Sequence, residues 1–548
     1  MTAQASIRPY LNQAYLLGLM MVAVGLTLSP FVMGMSQFWL ALVWLVDAIT
    51  PDRQCGLDPQ SPGRGFKAKL SRFWHNKAAV LLVAFYLMHV VGLLWTSDFP
   101  YALKDLRVKL PILVMPFVLS SMDPLDRKRF NLVMLVYVLS VFIATQFSFI
   151  SYLRHDYGDI REISHIISHI RFCLNIVFSM AVVGYYLVKM RVSRGQGVPT
   201  FGVKVAVNQF LMWFLLFWFA YQIFIFESLS GYMALAAVVI VAIVYAFLRW
   251  QKGRGWRIAI AAVALAVVVA GCLVVWHEVK PLLKVEPVDF ATLEKKTAQG
   301  NDYWHDTVHN PIEDGKYVGL YYCRKELQDV WSQRSTQPLN DTMEATLARY
   351  LTSKGLRKDA QGVMALSDED IHNVEQGVAN YNNWQHPGLR ARLSSTLFEY
   401  GLYRKYNNPN GGSLSQRIEF TRASFHLIAQ HPWFGVGTGD VPQAFSQAYD
   451  EIHSPLAEEY RFRAHNQYLA IAVAFGLVGL VFFLFVLLYS WFASRKNHTY
   501  LYLAFLTIML LSMFPEDTLE TQAGATLFAF FTALLLFAAP QKSMDNNQ

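Results

Sequence analysis

Long apolar runs alternate with short polar connections at both ends of this chain. About 20 consecutive apolar residues let a helix cross the hydrocarbon core of a bilayer. We predict twelve membrane-spanning helices from these runs, at 14–31, 33–49, 78–96, 108–122, 130–153, 170–190, 207–227, 231–249, 256–276, 466–491, 498–514 and 523–539. The second and fourth are the weakest, because Asp47 interrupts one and Pro111 and Pro116 interrupt the other.

Basic residues lie in alternate connections between these runs. They concentrate in loops 50–77, 190–204, 250–257 and 492–497. Since Lys and Arg favour the cytoplasmic side of a membrane, this bias predicts an even number of spans with both termini inside. The first run lacks the flanks of a cleaved signal peptide, so we expect it to be retained.

This topology divides the chain into four parts. Residues 1–277 hold the first nine spans, 278–464 form one large mainly helical periplasmic loop domain, 465–540 hold the last three spans, and 541–548 are a short cytoplasmic tail. The loop domain shows helical patterns at 320–331 and 414–428, with Ser413 as the expected N-cap of the second. We expect helices there without a sheet.

Composition agrees with an all-α polytopic membrane protein. Apolar residues make up 54% of the chain and charged residues only 16%, against about 25% in soluble domains. The net charge of +8 reflects topology first and anionic lipids or pyrophosphate second, so membrane lipids and not nucleic acid are the expected partners. Cys173 and Cys272 lie in apolar runs, and Cys55 and Cys323 lie in loops on opposite sides, so no disulfide or metal spacing is present.

Ionisable groups gather at the predicted outer ends of the spans. A guanidinium group binds diphosphate oxygens in a bidentate manner, so the cations among them suggest an anionic, membrane-borne ligand. The groups are Asp105, Arg107, Lys109, His165, His169, Arg171, Glu227, Arg417, Arg422, Arg461, Arg463, His465, Glu516, Asp517 and Glu520.

Each of these groups also has an ordinary structural explanation. His465 could be an interfacial histidine, Arg463 a lipid anchor, and Arg417 and Arg422 parts of a solvated helix face. Arg171 differs, because a positive charge at the outer start of a span opposes the inside bias. His165 and His169 share a helix face but lack a third ligand, so we predict no metal.

Glycines mark two places near His465. Gly476 and Gly479 recur at helical spacing, which predicts a thin face that packs closely and holds His465 in place. The stretch 431–440 is glycine-rich and is expected to form a tight structural turn. It lacks the Lys-Ser/Thr pair of a P-loop, so nucleotide binding is not expected.

Two segments together resemble a known family. His465-Asn466, followed after nine residues by Gly476-Leu-Val-Gly479, resembles the motif of O-antigen ligases and the related O-antigen polymerases and oligosaccharide transferases. The segment from Arg417 to the Pro432-x-x-Gly-x-Gly turn is similar to the part that precedes that motif. The resemblance is strong over 413–479 and weak over 285–400.

The resemblance implies a GT-C-type glycosyltransferase without a metal or other cofactor, at the outer face of the bacterial inner membrane. It would move a glycan from an undecaprenyl-diphosphate carrier to lipid A-core or another glycan acceptor, with inversion. His465 matches the motif histidine and Arg417 the loop arginine, and these two are the predicted catalytic residues. Predicted substrate contacts are Arg171, Arg422, Arg463, Asn466 and His169.

Several alternatives stay open at this stage. Family members often carry a Ser-Arg pair at the eighth span, where this chain has Ser230-Gly231-Tyr232, and Arg171 is the proposed substitute. His465 either accepts a proton or only hydrogen-bonds the diphosphate. A polymerase or protein-glycosylating transferase shares the motif. A transporter of lipid-linked sugars is disfavoured, because no paired discontinuous helices are evident and Asp47 is the only acid to watch within a span. A receptor built on 278–464 is the remaining class.

Overall fold

The computed structural model describes residues 7–50, 65–154, 163–164, 167–192, 205–249, 254–494 and 500–540. Helices dominate these residues, which confirms an all-α polytopic membrane protein. His165, Cys55 and much of the predicted basic loops lie outside the described residues.

Ten helices form the part before the large loop. They are α1 (Ile7–Leu28), α2 (Pro30–Ile49), α3 (Phe66–His75), α4 (Lys77–Val91), α5 (Phe99–Ser121), α6 (Arg127–Arg154), α7 (His169–Val192), α8 (Val205–Ile225), α9 (Leu229–Arg249) and α10 (Arg254–Leu283).

The loop segment and the chain end contribute eleven more helices. They are α11 (Arg324–Arg334), α12 (Asp341–Ser353), α13 (Ala360–Met364), α14 (Asp368–Glu375), α15 (Tyr381–Gln385), α16 (Leu389–Tyr406), α17 (Ser413–Gln430), α18 (Val441–Glu451), α19 (Gln467–Ser494), α20 (Tyr500–Ser512) and α21 (Gln522–Ala533). A π-helical turn, Leu534–Ala538, extends α21.

Nine of the predicted spans coincide with helices long and apolar enough to cross a membrane: α1, α2, α4, α6, α7, α8, α9, α10 and α19. The last two predicted spans correspond to α20 and α21, which are shorter apolar helices. The fourth corresponds to α5, which begins at Phe99, well before residue 108, because Asp98 caps the backbone N–H of Tyr101 at 3.0 Å. Pro111 and Pro116 lie inside this helix.

Aromatic side chains pack the centre of the bundle between α6, α7, α20 and α21. The ring of Phe531 lies 4.6 Å from that of Tyr137 and 4.7 Å from that of Phe178. Phe505 of α20 packs on both Phe178 and Phe531. This packing fixes α20 against α21 and therefore positions the short connection between them, residues 513–521.

Residues 284–466 lie between α10 and α19, and the side of the bundle that carries them is called the loop-bearing side below. Leu327, Trp331, Leu347, Tyr350 and Val374 form part of a separate hydrophobic core here. The expectation of no sheet is corrected by one small antiparallel hairpin, β1 (Ile312–Glu313) and β2 (Lys316–Tyr317). Asp314 and Gly315 both adopt positive φ, which permits the two-residue turn.

Candidate active site

The span that follows His465 is not one continuous helix. α19 is broken at Gly476, where φ is 66° and ψ is −168°. Only glycine adopts this backbone conformation without strain. The prediction that Gly476 and Gly479 share a thin face of a regular helix is therefore corrected, because their relative direction is set by a break.

The glycine-rich loop after α17 supplies the hydrogen bonds that the break removes. The N–H groups of Val436 and Gly437 donate to the carbonyls of Val473 and Ala474, each at 2.9 Å. On the other side of the break, the N–H of Leu477 donates to the carbonyl of Pro432 at 2.8 Å. Buried backbone groups at the break are thus satisfied by a segment about 40 residues earlier.

Close backbone contact explains the glycines at this crossing. A Cβ on Gly476 would lie 2.2 Å from the Trp433 carbonyl carbon, and one on Gly435 would lie 2.4 Å from that of Ala474. A Cβ on Gly479 would lie 2.2 Å from Cβ of Phe475, which the break turns back toward it. The predicted structural turn at 431–440 therefore docks directly onto α19.

The same loop is fastened to the start of α5. Asp440 accepts hydrogen bonds from the backbone N–H groups of Ser97 and Asp98 at 2.8–3.0 Å. The hydroxyl of Thr438 donates to the carbonyl of His89 at 2.6 Å. Hence α4, α5 and α19 meet around one loop, and the residues that precede α19 are held in a fixed position.

His465 lies just before α19, in a left-handed backbone conformation with φ of 43°. Its ring stacks on Phe420 of α17, with centroids 5.3 Å apart and planes at 26°. Nδ1 is buried, has no hydrogen-bond partner among the described residues, and lies 3.8 Å from Oε2 of Glu516 and 4.0 Å from Oδ1 of Asp517. The side chain is 32% exposed, so Nε2 is its accessible nitrogen.

Arg417 lies on the other side of Glu516. Its Nη2 donates to Oε1 of Glu516 at 2.9 Å, and its Nε donates to the carbonyl of Pro515 at 3.1 Å. A third bond runs from Nη1 to the carbonyl of Ser413. The structure therefore brings the two predicted catalytic residues together through one carboxylate. Ser413 is the first residue of α17, and Gly412 takes the expected N-cap place.

Arg463 joins the same group of charges. Its guanidinium lies 3.4 Å from both Asp517 and Glu520 and donates to the hydroxyl of Tyr101 at 3.0 Å. Glu520 also accepts from Nζ of Lys109 at 2.6 Å, and Lys109 in turn pairs with Asp105 at 2.5 Å. Lys109 is only 2% exposed. We call the following seven residues the ionic cluster: Asp105, Lys109, Arg417, Arg463, Glu516, Asp517 and Glu520.

Two adjacent carboxylates of the ionic cluster have pKa values shifted in opposite directions, although burial raises both. For Glu516, burial raises the pKa, but nearby His465, Arg417 and Arg171 outweigh it and hold the pKa below its usual value. For Asp517, burial together with the neighbouring carboxylates raises the pKa despite Arg463 and His465. Glu516 is therefore the better anion to stabilise a positive charge on His465.

The other predicted contacts are distributed unevenly. Arg171 acts electrostatically on Glu516, and its buried Nε has no hydrogen-bond partner among the described residues. Asn466 caps α19 by accepting from Leu469 N–H and donates to the carbonyl of Phe514, so its amide is structural here. Arg422 is 50% exposed and pairs with the buried Glu419, away from the ionic cluster. His169 begins α7 and is partly buried.

Five participants were named in the sequence as outer polar groups but were not assigned to the site. They are Asp105, Lys109, Glu516, Asp517 and Glu520. Gln467 was missed altogether, although it donates to Glu520 at 3.0 Å and accepts from Leu519 N–H at 2.6 Å. The available signal was Pro515-Glu-Asp-Thr-Leu-Glu520, three acids in one short connection between apolar helices.

His465, Glu516 and Asp517 also have the geometry of a possible metal site, because their ligand atoms all lie within 4.8 Å of one another. The carboxylates are already engaged, however. Arg417 pairs with Glu516 and Arg463 with Asp517. A cation at this position would have to compete with two guanidinium groups, so the donor set does not favour a resident metal.

The fold and the site define a multi-pass membrane protein with an imidazole–carboxylate–guanidinium site between its spans and its loop segment. Residues 379–484 match the family model Wzy_C, described as O-antigen ligase. This match confirms the resemblance to the O-antigen ligase and polymerase family, and it supports a function of that general type, carried out by a glycosyltransferase-like enzyme.

The matched residues include most of the predicted site. Arg417, Arg422, Arg463, His465 and Asn466 all fall within them, as do both glycines of α19. The acidic connection 513–521 and Arg171 lie outside the match. A search of curated proteins finds no match to this chain.

Proposed function

We propose that this protein transfers a glycan from an undecaprenyl-diphosphate carrier to lipid A-core at the outer, periplasmic face of the bacterial inner membrane. The observation that carries the proposal is that His465 and Arg417 flank one buried carboxylate, Glu516, while Nε2 of His465 stays accessible. This arrangement suits a reaction that removes a proton and stabilises a departing anion in one place.

His465 is proposed as the general base. Nε2 accepts the proton of the attacking acceptor hydroxyl, because a neutral imidazole is suited to this near pH 7. Nδ1 faces Glu516 and Asp517 at 3.8 and 4.0 Å, so the positive charge that forms on the ring is stabilised by nearby negative charge. The stack on Phe420 fixes the plane of the ring.

Arg417 is proposed to stabilise the leaving group. The acceptor oxygen bonds to the anomeric carbon, the bond from that carbon to the diphosphate oxygen breaks, and its electron pair stays on the diphosphate. Direct attack inverts the anomeric centre. Arg417 uses three of its five N–H donors in the bonds described above, which leaves two for the ligand. Arg171, whose Nε has no partner among the residues that the structure describes, adds positive charge without a metal.

An exposed apolar surface beside the site suits the polyprenyl chain of the donor. Trp95 and Phe434 make an edge contact, with ring centroids 6.3 Å apart, where the glycine-rich loop meets the end of α4. Phe99 and Leu103 of α5 are more than half exposed on the same helix as Tyr101 and Lys109. Apolar side chains next to a cationic site match a ligand with a prenyl tail and a diphosphate head.

The test is lipopolysaccharide analysis in cells that lack the protein. Long glycan on lipid A should disappear while carrier-linked polymer persists. Loss of the polymer itself would instead identify a polymerase, which acts on lipid-linked repeats and is the alternative within the family.

A substitution at His465 tells a loss of catalysis from a loss of folded protein. His465→Ala should lower transfer in membranes by about 10²–10⁴-fold at an unchanged protein level. His431→Ala is the matched control, because His431 is exposed and its side chain has no hydrogen bond among the described residues. Transfer retained in His465→Ala would refute the proposed base.

A further inference from the structure

A second polar cavity lies in the loop segment, beside the β1–β2 hairpin. Its volume is about 340 Å³. We call it the hairpin cavity, and its walls come from the hairpin, the end of α12, and the α15–α16 region. The lining residues are Glu313, Asp314, Lys316, Thr352, Ser353, Asn380, Asn382, Asn383, His386 and Arg390.

The two acids of the hairpin cavity are already engaged by the protein. Both oxygens of Glu313 accept from Arg349, at 2.7 and 2.9 Å. Asp314 accepts from Ser394 at 2.5 Å and from the amide of Asn380 at 2.9 Å. Glu313 is buried and its charge is neutralised by Arg349, while both oxygens of Asp314 already accept hydrogen bonds, so these acids help to shape the cavity.

The two cations that line the hairpin cavity are not engaged in this way. Lys316 and Arg390 form no ion pair or hydrogen bond through their side chains within the described part of the chain. The imidazole of His386 is likewise exposed and unbonded there. Two positive charges and an imidazole therefore point at the same empty space, which favours an anionic ligand.

The rest of the wall suits a sugar ligand. Three asparagine side chains and two hydroxyl residues line it, and no large apolar side chain does. Most small-molecule sites are mainly apolar, so a polar wall suits a ligand that is polar on all sides. Amide groups offer donors and acceptors side by side, as adjacent sugar hydroxyls require. The volume is at the lower end of the roughly 300–1,000 Å³ found for ligand sites, which suits a short glycan segment.

We propose that the hairpin cavity binds an acidic sugar unit, a glycan ring that carries a carboxylate or a phosphate. Lys316 and Arg390 contact the acid group, and Asn382 and Asn383 contact the ring hydroxyls. This inference concerns a second site and goes beyond the proposed transfer reaction.

The hairpin cavity lies close to the end of a membrane-spanning helix. Gly388, between the lining residues His386 and Arg390, donates its N–H to Glu227 at the end of α8 at 2.5 Å. A Cβ on Gly388 would lie 2.8 Å from the ring of Phe224, so this turn rests directly on the end of a span. A glycan held here therefore lies at the membrane-proximal base of the loop segment.

A short path of bonds links this position to the site of transfer. Arg392, two residues after Arg390, donates to Oγ of Ser413 at 3.0 Å. The carbonyl of Ser413 accepts from Arg417, the residue proposed to stabilise the leaving group. The hairpin cavity is thus suited to hold one part of a glycan substrate while another part reacts.

The experiment measures sugar binding to the purified full-length protein in detergent, by saturation-transfer NMR. The probes are glucuronate, glucose 6-phosphate and glucose. We expect one or both acidic sugars to bind and glucose to bind at least about tenfold more weakly, because a hydrogen bond to a charged group is worth more than a tenfold change in affinity. Comparison of the two acidic probes tells a carboxylate ligand from a phosphate ligand.

Variants assign the binding to the cavity. Lys316→Gln and Arg390→Gln should each weaken acidic-sugar binding at least about tenfold. Arg404→Gln is the matched control, because Arg404 is an exposed arginine on the same helix as Arg390 and does not line the cavity. Equal binding of glucose, no binding of either acidic sugar, or full binding by a Lys316→Gln/Arg390→Gln double variant would overturn the proposal.

The binding measurement is independent of the transfer reaction. His465→Ala should retain acidic-sugar binding even where transfer is lost. If His465→Ala transfers normally while the cavity variants lose binding, the proposed base fails and the hairpin cavity stands. If His465→Ala also loses sugar binding, the observed sugar site is not the hairpin cavity.

Discussion

The ionic cluster and the hairpin cavity are both charged and both lie on the loop-bearing side, yet their charges are arranged in opposite ways. In the ionic cluster each cation faces at least one carboxylate within 3.4 Å, as Lys109 does with Asp105 and Glu520. In the hairpin cavity Glu313 is paired with Arg349 and Asp314 is held by neutral donors, whereas the lining cations Lys316 and Arg390 have no partner within the described part of the chain. The cations of the ionic cluster therefore stabilise the protein's own carboxylates, whereas those of the hairpin cavity remain available to bind an anion.

Burial explains why the two arrangements differ. An ion that is removed from water costs several kcal/mol unless a partner and hydrogen bonds offset the loss. Lys109 is almost fully buried and so must be paired, whereas Lys316 and Arg390 keep contact with water and need no partner. Free charge can therefore persist only where solvent or a ligand reaches it.

The largest effect should come from removing the buried cation. Lys109→Met leaves Asp105 and Glu520 buried beside each other with one cation fewer, which should destabilise the protein by roughly 3–5 kcal/mol. Thermal unfolding in detergent, or the yield of folded protein, measures the loss.

Lys316→Met is the matched comparison for the Lys109 variant. It removes an unpaired cation from the hairpin cavity and should change stability by less than about 0.5 kcal/mol. An equal loss of stability in the two variants would show that ion pairing does not make Lys109 more important for stability than Lys316.

The next largest effect should come from the break in α19. The glycine-rich loop 431–440 docks at this break, and its contacts position the residues that precede α19. Gly476→Ala should cost roughly 1–3 kcal/mol from backbone conformation alone, before the contact of its Cβ with Trp433 is counted. Gly184→Ala is the control, since Gly184 lies inside α7 with open space around it and should be neutral or slightly stabilising. Equal stability of both variants would exclude a strained break at Gly476.

The break also shows what the sequence could not predict. Hydrophobic periodicity predicts the span 466–491, because bilayer thickness and helix geometry are local constraints. It does not show that Val436 and Gly437 replace hydrogen bonds of that span, since this depends on a contact between distant segments. The turn at 431–440 and the two glycines were each recognised, but their contact with one another was not.

The site follows the same pattern. His465 and Arg417 could be identified from the residues that resemble a family, because both lie in one continuous segment. Their connection through Glu516 could not, since it requires α17 and the 513–521 connection to meet. Arg422 was predicted as a substrate contact because it is a cation on the same loop helix as Arg417, but its position five residues further along turns its side chain toward a different neighbour, Glu419.

A smaller, pH-dependent effect should separate two adjacent acids of the ionic cluster. Glu516 has a lowered pKa, so its ionisation stabilises the fold above the unfolded value of about 4.3, and this contribution is lost as pH falls through the folded pKa. Asp517 has a raised pKa, so its ionised form is disfavoured and the penalty is relieved as pH falls through that raised pKa.

Thermal midpoints at pH 7 and pH 5 measure this difference. Glu516→Gln should lower the midpoint at pH 7, and Asp517→Asn should leave it unchanged or raise it. Any rise in the thermal midpoint that Asp517→Asn gives relative to the natural protein at pH 7 should be smaller at pH 5. Destabilisation of equal size by both variants at pH 7 would contradict the opposite pKa directions.

The smallest expected effect concerns metal ions. Because Arg417 and Arg463 already neutralise Glu516 and Asp517, a chelator should leave transfer by purified protein unchanged within about twofold. Arg417→Gln frees one carboxylate beside His465 and should therefore bind Zn²⁺ more tightly than the natural protein, as measured by calorimetry. Loss of transfer in chelator, with recovery on adding metal, would mean that the three ligand groups hold an ion despite the arginines. The leaving group would then depend on that ion and not on Arg417, which would remove the main contrast between the ionic cluster and the hairpin cavity.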